Sequence, residues 1–156
     1  MTETGGPVPA PWVLDVSVLV AVARGDTAIV TLVQELDARG RPLIIPALAV
    51  AGASLDGRSD EAGELLEGLE RLEGALVAPL RDAEQAIRLA EVVTRMGLDP
   101  WNAHVAAIAD ASVCPILTLD AAKWREHEED LDQRLYFIEV ADPPDQADDQ
   151  DADSRE

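Results

Sequence analysis

Short apolar runs alternate with longer segments of helical periodicity along most of the chain. The runs fall near residues 12–14, 43–45, 75–80, 115–119 and 135–140. Short apolar runs bounded by turn residues are typical of strands covered on both faces. Between them, apolar residues recur every three or four positions, as in amphipathic helices. This alternation predicts an α/β fold with a parallel sheet between helical layers, and the last run is expected at an edge of that sheet.

The pattern is clearest in residues 98–124, LDPWNAHVAAIADASVCPILTLDAAKW. Asp99 followed by Pro100 predicts a helix start, because aspartate accepts from the first free N–H groups and proline loses no hydrogen bond there. Alanine, valine and isoleucine follow on one side of this helix. The run 115–119 then predicts a buried strand, and Asp120 stands at its carboxyl end.

The front of the chain repeats this design, since the run 12–14 ends at Asp15 and an apolar helical segment follows it. In open α/β sheets, ligands bind just beyond the carboxyl ends of the strands. Asp15 and Asp120 at two such ends could therefore converge and hold a hard cation. The alternative is that each aspartate only caps the helix or turn that follows it.

The chain divides into three parts by composition. Residues 1–11 are rich in glycine and proline and are expected to be a flexible lead-in. Residues 12–141 are long enough to form one domain with its own core. Residues 142–156 are acidic and polar and are expected to be a disordered tail.

Composition indicates an aliphatic core and a reducing compartment. Apolar residues make up 47% of the chain and aromatic residues 3%. Cys114 is the single cysteine, so no disulfide can form within one chain, and we expect it to be a small buried hydrophobe. No signal-peptide pattern opens the chain, and no apolar run is long enough to span a bilayer. We expect a cytoplasmic protein without membrane contact.

The formal charge of −19 disfavours nucleic acid as a partner. Residues 142–156 carry seven acids and one arginine, so −6 lies in the tail and −13 on the rest of the chain. The basic residues are scattered, whereas RNA-binding proteins gather them to neutralise phosphates. RNA binding by the isolated chain is therefore disfavoured.

Three blocks of the sequence resemble the signature motifs of PIN domains, above all those of the small bacterial VapC-like toxin ribonucleases. They are VLDVSVLVA, LIIPALAVAGAS and WNAHVAAIADASVCPILTLDAAKW, in the family's order and over roughly residues 12–140. The resemblance implies a three-layer α/β/α fold with a central parallel sheet of four to five strands. It also implies an endoribonuclease dependent on Mg²⁺ or Mn²⁺, a homodimer, and a small antitoxin protein as partner.

The resemblance carries over only half of the family's four acids. The first falls on Asp15 and the fourth on Asp120, with Thr118 at a hydroxyl position that supports the site. The second position holds Gly52 and the third holds Asn102, so two carboxylates are replaced. The implied catalytic set is Asp15, Asn102, Asp120 and Thr118, and the implied metal ligands are Asp15, Asp120 and Asn102. Such a site would bind Mg²⁺ or Mn²⁺ weakly, if at all.

Three nearby acids offer no substitute for the lost carboxylates. Asp56 is explained by an Asp-Gly turn, Asp99 by helix capping, and Asp110 lies two turns beyond Asn102.

The remaining candidate residues have structural explanations too. His104 is expected to be partly buried and hydrogen-bonded rather than a ligand or base, and His127 to be solvated. Trp101 and Trp124 flank the expected cleft, where they could stack on a base, but packing is the favoured role for both.

The function remains open between two hypotheses. One is an active Mg²⁺-dependent endoribonuclease toxin of a type II toxin–antitoxin pair, with Asn102 as a neutral third ligand. The other is a PIN-like protein with weak or lost hydrolysis that binds a partner, and the missing acids and negative charge favour it. A phosphoacceptor receiver domain is set aside, because Lys123 follows Asp120 too closely and no acidic pair precedes Asp15.

A stripe of leucine residues between positions 59 and 72 has two possible structural roles. It either forms part of a dimer contact, as in PIN-like folds, or packs on its own sheet.

Overall fold

The structure is a computed structural model and describes residues 9–140. The expected acidic tail, 142–156, lies outside the described residues, as do residues 1–8 of the expected lead-in. Both expectations therefore stay predictions.

Residues 9–140 form five strands and seven helices that alternate along the chain. The strands are β1 (Trp12–Leu14), β2 (Leu43–Pro46), β3 (Ala75–Ala78), β4 (Ile116–Thr118) and β5 (Phe137–Glu139). The helices are α1 (Val16–Ala23), α2 (Thr27–Ala38), α3 (Ala47–Gly57), α4 (Asp60–Glu70), α5 (Ala83–Met96), α6 (Pro100–Ser112) and α7 (Ala121–Arg125).

The strands form one parallel sheet in the order β3-β2-β1-β4-β5. The predicted α/β fold with a central parallel sheet is therefore confirmed, and β5 lies at an edge as predicted. Strands β1 and β4 are neighbours, with Leu14 in register with Leu117. This pairing brings the ends of the two strands, where Asp15 and Asp120 follow, to the same edge of the sheet.

The order of the strands also determines where the helices lie. The chain runs outward from β1 to β3 and then returns across β1 to β4. Because such crossovers are right-handed, α1 to α4 cover one face and α5 to α7 cover the other. Accordingly, α1 contacts α3 and α4, while α5 contacts α6. The direction reverses between β1 and β4, which is where open α/β sheets form their ligand crevice.

The core is aliphatic, as composition predicted, with one exception. Val13, Leu14 and Ile116 are fully buried in the sheet, and Cys114 is buried as a small hydrophobe. The exception is Trp124, a large aromatic residue that is also fully buried.

The leucine stripe packs within its own chain. Leu66 and Leu69 are buried, and α4 contacts α1 and β3. The structure therefore supports packing of this stripe within its own chain.

Two local expectations were wrong, and one helix was missed. Helix α3 continues through Asp56 and Gly57, and the chain reverses at Arg58, whose φ is 50°. Asp56 forms an ion pair with Arg24 at 3.0 Å instead of making a turn. His127 is not solvated, since its side chain is only 17% exposed and its Nδ1 lies 2.7 Å from Asp130 Oδ2. Helix α7 was missed because five residues are too few to display a helical period.

Within residues 9–140, no single helix is both long and apolar enough to cross a membrane. Helices α1 and α2 satisfy that test only as a pair, bent by 115°.

Candidate functional site at the ends of β1 and β4

Asp15 lies fully buried at the carboxyl end of β1, where it caps α1. Its Oδ1 accepts hydrogen bonds from the backbone N–H of Val18 at 3.1 Å and from Ser17 Oγ at 2.6 Å. This is the ordinary role of an N-cap aspartate, which satisfies donors that the helix leaves free.

The other carboxylate oxygen of Asp15 faces α7. Trp124 Nε1 donates a hydrogen bond to Oδ2 at 2.9 Å, and Lys123 Nζ lies 3.8 Å from the same oxygen. A buried carboxylate is costly unless it is paired and hydrogen-bonded. Asp15 meets that requirement with donors from this chain alone.

Lys123 also joins Asp15 to the late helix α6. Its Nζ donates a hydrogen bond to Asn102 Oδ1 at 2.7 Å and lies 4.9 Å from the centre of the Trp124 ring. Asn102 Nδ2 in turn lies 3.2 and 3.1 Å from the two carboxylate oxygens of Asp99. The lysine side chain is 24% exposed, so this cation is largely withdrawn from water.

Hydroxyl groups connect the ends of β1 and β4. Ser17 Oγ accepts from the Leu119 N–H at 2.9 Å and lies 3.4 Å from Thr118 Oγ1. Thr118 is fully buried, and its Oγ1 accepts from the Asp120 N–H at 2.9 Å. The structure thus brings Thr118 close to Asp15 through Ser17, a residue that the sequence analysis did not single out.

Asp120 is exposed and turned toward its own helix. Its Oδ1 accepts from the Lys123 N–H at 3.3 Å as the N-cap of α7. Glu139, at the end of β5, accepts from the Ala121 N–H at 3.0 Å and is a second acid at this edge that sequence reasoning missed.

An indole ring fills the position of the family's second acid, at Gly52. A Cβ atom at residue 52 would lie 2.7 Å from Cγ and 2.9 Å from Cβ of Trp101. Gly52 therefore does not leave an empty position. It leaves room for Trp101, which packs there.

These residues do not fit a divalent metal. No group of three or more histidine, cysteine or acidic side chains within residues 9–140 could hold one. Both carboxylate oxygens of Asp15 already accept hydrogen bonds from this chain, and the carbonyl oxygen of Asn102 accepts from the Lys123 ammonium group. Metal binding at this site would have to displace Lys123.

The other candidate residues have structural partners. His104 is buried, and its Nδ1 accepts from the Leu48 N–H at 3.2 Å, as expected of a hydrogen-bonded histidine. Burial lowers the pKa of His104 below its ordinary value, which favours the neutral ring. Asp99 caps α6 as predicted, and the buried Asp110 forms an ion pair with Arg88.

Comparison with known proteins identifies the fold. No family model matches the sequence, and no curated protein matches it. Among solved structures, the chain resembles one in the crystal structure of VapBC2 from Rickettsia felis bound to a DNA fragment from their promoter. The match has a TM-score of 0.60 at 12% identity and covers 84% of this chain and 99% of that chain. The predicted three-layer PIN-like fold is thereby confirmed.

Proposed function

We propose that this chain is a PIN-fold protein of the toxin–antitoxin type that holds Lys123 where its relatives hold a metal ion. It acts by binding a protein partner and does not hydrolyse RNA. The proposal is supported by the likeness to a chain of the VapBC2 structure and by the contacts around Asp15.

The observation that carries the proposal is the position of the Lys123 ammonium group. It lies 2.7 Å from Asn102 Oδ1 and 3.8 Å from Asp15 Oδ2, between the first and third positions of the family's acidic set. A divalent ion at such a place does two things: it neutralises the acids, and it lowers the pKa of a bound water so that hydroxide can attack. An ammonium group supplies the first effect and not the second.

The replaced residues are consistent with this exchange. A lysine needs fewer negative partners than a doubly charged ion, so Asn102 can stand where an acid would otherwise be required. Trp101 fills the space beside Gly52 that the side chain of the family's second acid would occupy. The loss of two negative charges is therefore offset in part by the exchange of a doubly charged ion for a singly charged ammonium group.

The charge of the whole chain supports the same conclusion. At a formal charge of −19, phosphate is repelled over long distances, and no cluster of basic residues offsets this. RNA is thus a poor substrate for the isolated chain.

The alternative is an active Mg²⁺-dependent or Mn²⁺-dependent endoribonuclease toxin with Asp15, Asp120 and Asn102 as ligands. It would require the ion to expel Lys123 from two oxygen partners, and Asp120 to turn away from the end of α7. Binding of either metal would then be weak.

For partners, we propose a small antitoxin-like protein and self-association as a homodimer. The similar solved structure is that of VapBC2 with promoter DNA. By analogy, the partner of this chain would be the component that contacts DNA.

The test combines metal binding with RNA cleavage on the full-length chain. Mn²⁺ is titrated by calorimetry, and labelled single-stranded RNA is incubated with the wild type, Asp15→Ala and Lys123→Ala. We expect no saturable Mn²⁺ binding and no cleavage by the wild type. Lys123→Ala should gain weak Mn²⁺ binding, because it frees the oxygens of Asp15 and Asn102. Cleavage by the wild type that disappears in Asp15→Ala would overturn the proposal.

A further inference from the structure

Strand β3 is an edge strand composed only of apolar residues. It pairs with β2 on one side and has no strand on the other within residues 9–140. Residue Leu76 is 62% exposed. Edge strands usually carry charges that discourage further pairing, and β3 carries none.

The free hydrogen-bonding groups of this edge centre on Val77. Leu43 N–H donates to the Gly74 C=O at 2.9 Å, so Gly74 turns its backbone groups toward β2. Because orientation alternates along a strand, Leu76 does the same, and Val77 turns its N–H and C=O outward. Proline at position 79 lacks an N–H and ends the edge there.

The edge lies between two cavities, one on each face of the sheet. On the side of α5 and α6 is a cavity of about 540 Å³, lined by residues that include Leu76, Val77, Leu80 and Ile108. On the side of α3 and α4 is a cavity of about 330 Å³ that Val77 also lines. A strand added beside β3 would direct alternate side chains to the two faces, and therefore into the two cavities.

The start of α5 borders the larger cavity without filling it, with Gln85 and Arg88 among the lining residues. Residues 83–88 of this helix are exposed, and its first buried residue is Leu89. A partner segment can therefore reach the edge without displacing the helix.

Charge distinguishes between the occupants that could fit this edge. Glu67 and Glu70 line the smaller cavity and are both exposed. A second copy of this chain paired at this edge would bring its own Glu67 and Glu70 close to these two glutamates, which is unfavourable. A segment with lysine or arginine directed toward these glutamates would be attracted.

We propose that the β3 edge binds an extended segment of a protein partner, which adds to the sheet as a further strand. The side chains of that segment alternate between apolar residues toward α5 and α6 and basic residues toward Glu67 and Glu70. The inference rests on the proposed function only in that the partner is a polypeptide.

The test uses a short synthetic peptide that alternates valine and lysine as the probe. Binding to the full-length chain is followed by fluorescence anisotropy, and hydrogen exchange reports which backbone amides become protected. We expect binding with protection of the Val77 amide. The Glu67→Lys/Glu70→Lys variant should bind roughly tenfold more weakly, because it removes two ion pairs and adds repulsion. Glu91→Lys, on the outer surface of α5, is the matched control and should bind as the wild type does.

Three results would contradict the proposal. The first is no binding of the valine–lysine peptide, and the second is equal binding of a valine–glutamate peptide. The third concerns concentrated protein without peptide. If its Val77 amide is protected and it forms a dimer that Glu67→Lys/Glu70→Lys does not weaken, the occupant of the edge is a second copy of the chain. RNA cleavage by the wild type would overturn the proposed function and leave the peptide result unaffected.

Discussion

Trp124 Nε1 donates a hydrogen bond of 2.9 Å to Asp15 Oδ2, although 109 positions separate the two residues. Both side chains are fully buried. Helix α7 makes this contact possible, because it turns back from Asp120 and places Lys123 and Trp124 against the end of β1. The chain thus supplies a hydrogen-bond donor and a nearby cation to a buried carboxylate, at the edge of the sheet where open α/β folds bind ligands.

Replacing Trp124 with phenylalanine should lower the free energy of unfolding by about 1–3 kcal/mol. Phenylalanine keeps an aromatic ring but lacks the indole N–H, so Asp15 loses a buried hydrogen-bond donor. Urea denaturation measures the change, and Trp101→Phe, at a half-buried ring, is the control with the smaller expected loss. Equal losses in the two variants would indicate that ring volume matters and the hydrogen bond does not.

The ion pair between Lys123 and Asp15 can be measured by a double-mutant cycle. Lys123→Met leaves a buried carboxylate without its cation, and we expect a loss of about 1–3 kcal/mol in the free energy of unfolding. Asp15→Asn combined with Lys123→Met should recover part of this loss, because no charge is then left unpaired. Additive losses would show that the two groups do not interact.

Restoring the lost acids requires removal of the groups that now fill the site. Gly52→Glu alone should destabilise the fold strongly, because any side chain there meets Trp101. Adding Trp101→Ala should relieve that overlap, which thermal unfolding can report.

The same pair of substitutions, combined with Asn102→Asp and Lys123→Ala, should create saturable Mn²⁺ binding in a calorimetric titration. The combination without Gly52→Glu is the control and should bind more weakly. An unchanged titration in the full combination would argue against the assignment of the site.

Stability should fall as the solution becomes acidic, through His104. Because burial holds its pKa below 6.5, the unfolded chain binds a proton at a higher pH than the folded chain does. The free energy of unfolding should therefore decrease as the pH drops below about 6.5, until the folded imidazole is itself protonated.

Comparison of His104→Gln with the wild type in urea at about pH 7.5 and pH 5.5 isolates this effect. The decrease should be smaller in His104→Gln than in the wild type. The same decrease in His104→Gln as in the wild type would exclude His104 as its source.

The ion pair between Arg88 and Asp110 offers a further test. The side chain of Asp110 is 2% exposed, and its other oxygen accepts from the Gln133 N–H at 2.9 Å. Arg88→Met should therefore cost about 1–3 kcal/mol of stability, because it leaves a buried charge with one partner fewer. Arg95→Met is the matched control, since Arg95 pairs with Asp132, which is 70% exposed, and should change stability by less than about 0.5 kcal/mol.

Much of the fold follows from local patterns in the sequence. All five strands and six of the seven helices in residues 9–140 were predicted, because the hydrophobic period and the capping residues of an element lie within that element. The positions of Asp15 and Asp120 at strand ends were predicted for the same reason. A supporting role for Thr118 was implied only by the resemblance to PIN domains, and its approach to Asp15 through Ser17 came from the structure.

What surrounds Asp15 was decided only by tertiary structure. From the sequence, Lys123 had no assigned partner, Trp124 was expected to pack against unspecified neighbours, and Gly52 marked only the position of a replaced acid. Their roles depend on contacts with residues far along the chain: Lys123 with Asn102, Trp124 with Asp15, and Trp101 with Gly52. The sequence by itself determined which segments are strands and helices, since those preferences are local. The packing of distant segments determined that an ammonium group and two indole rings occupy the site, since the direction and neighbours of a side chain are set only when those segments meet.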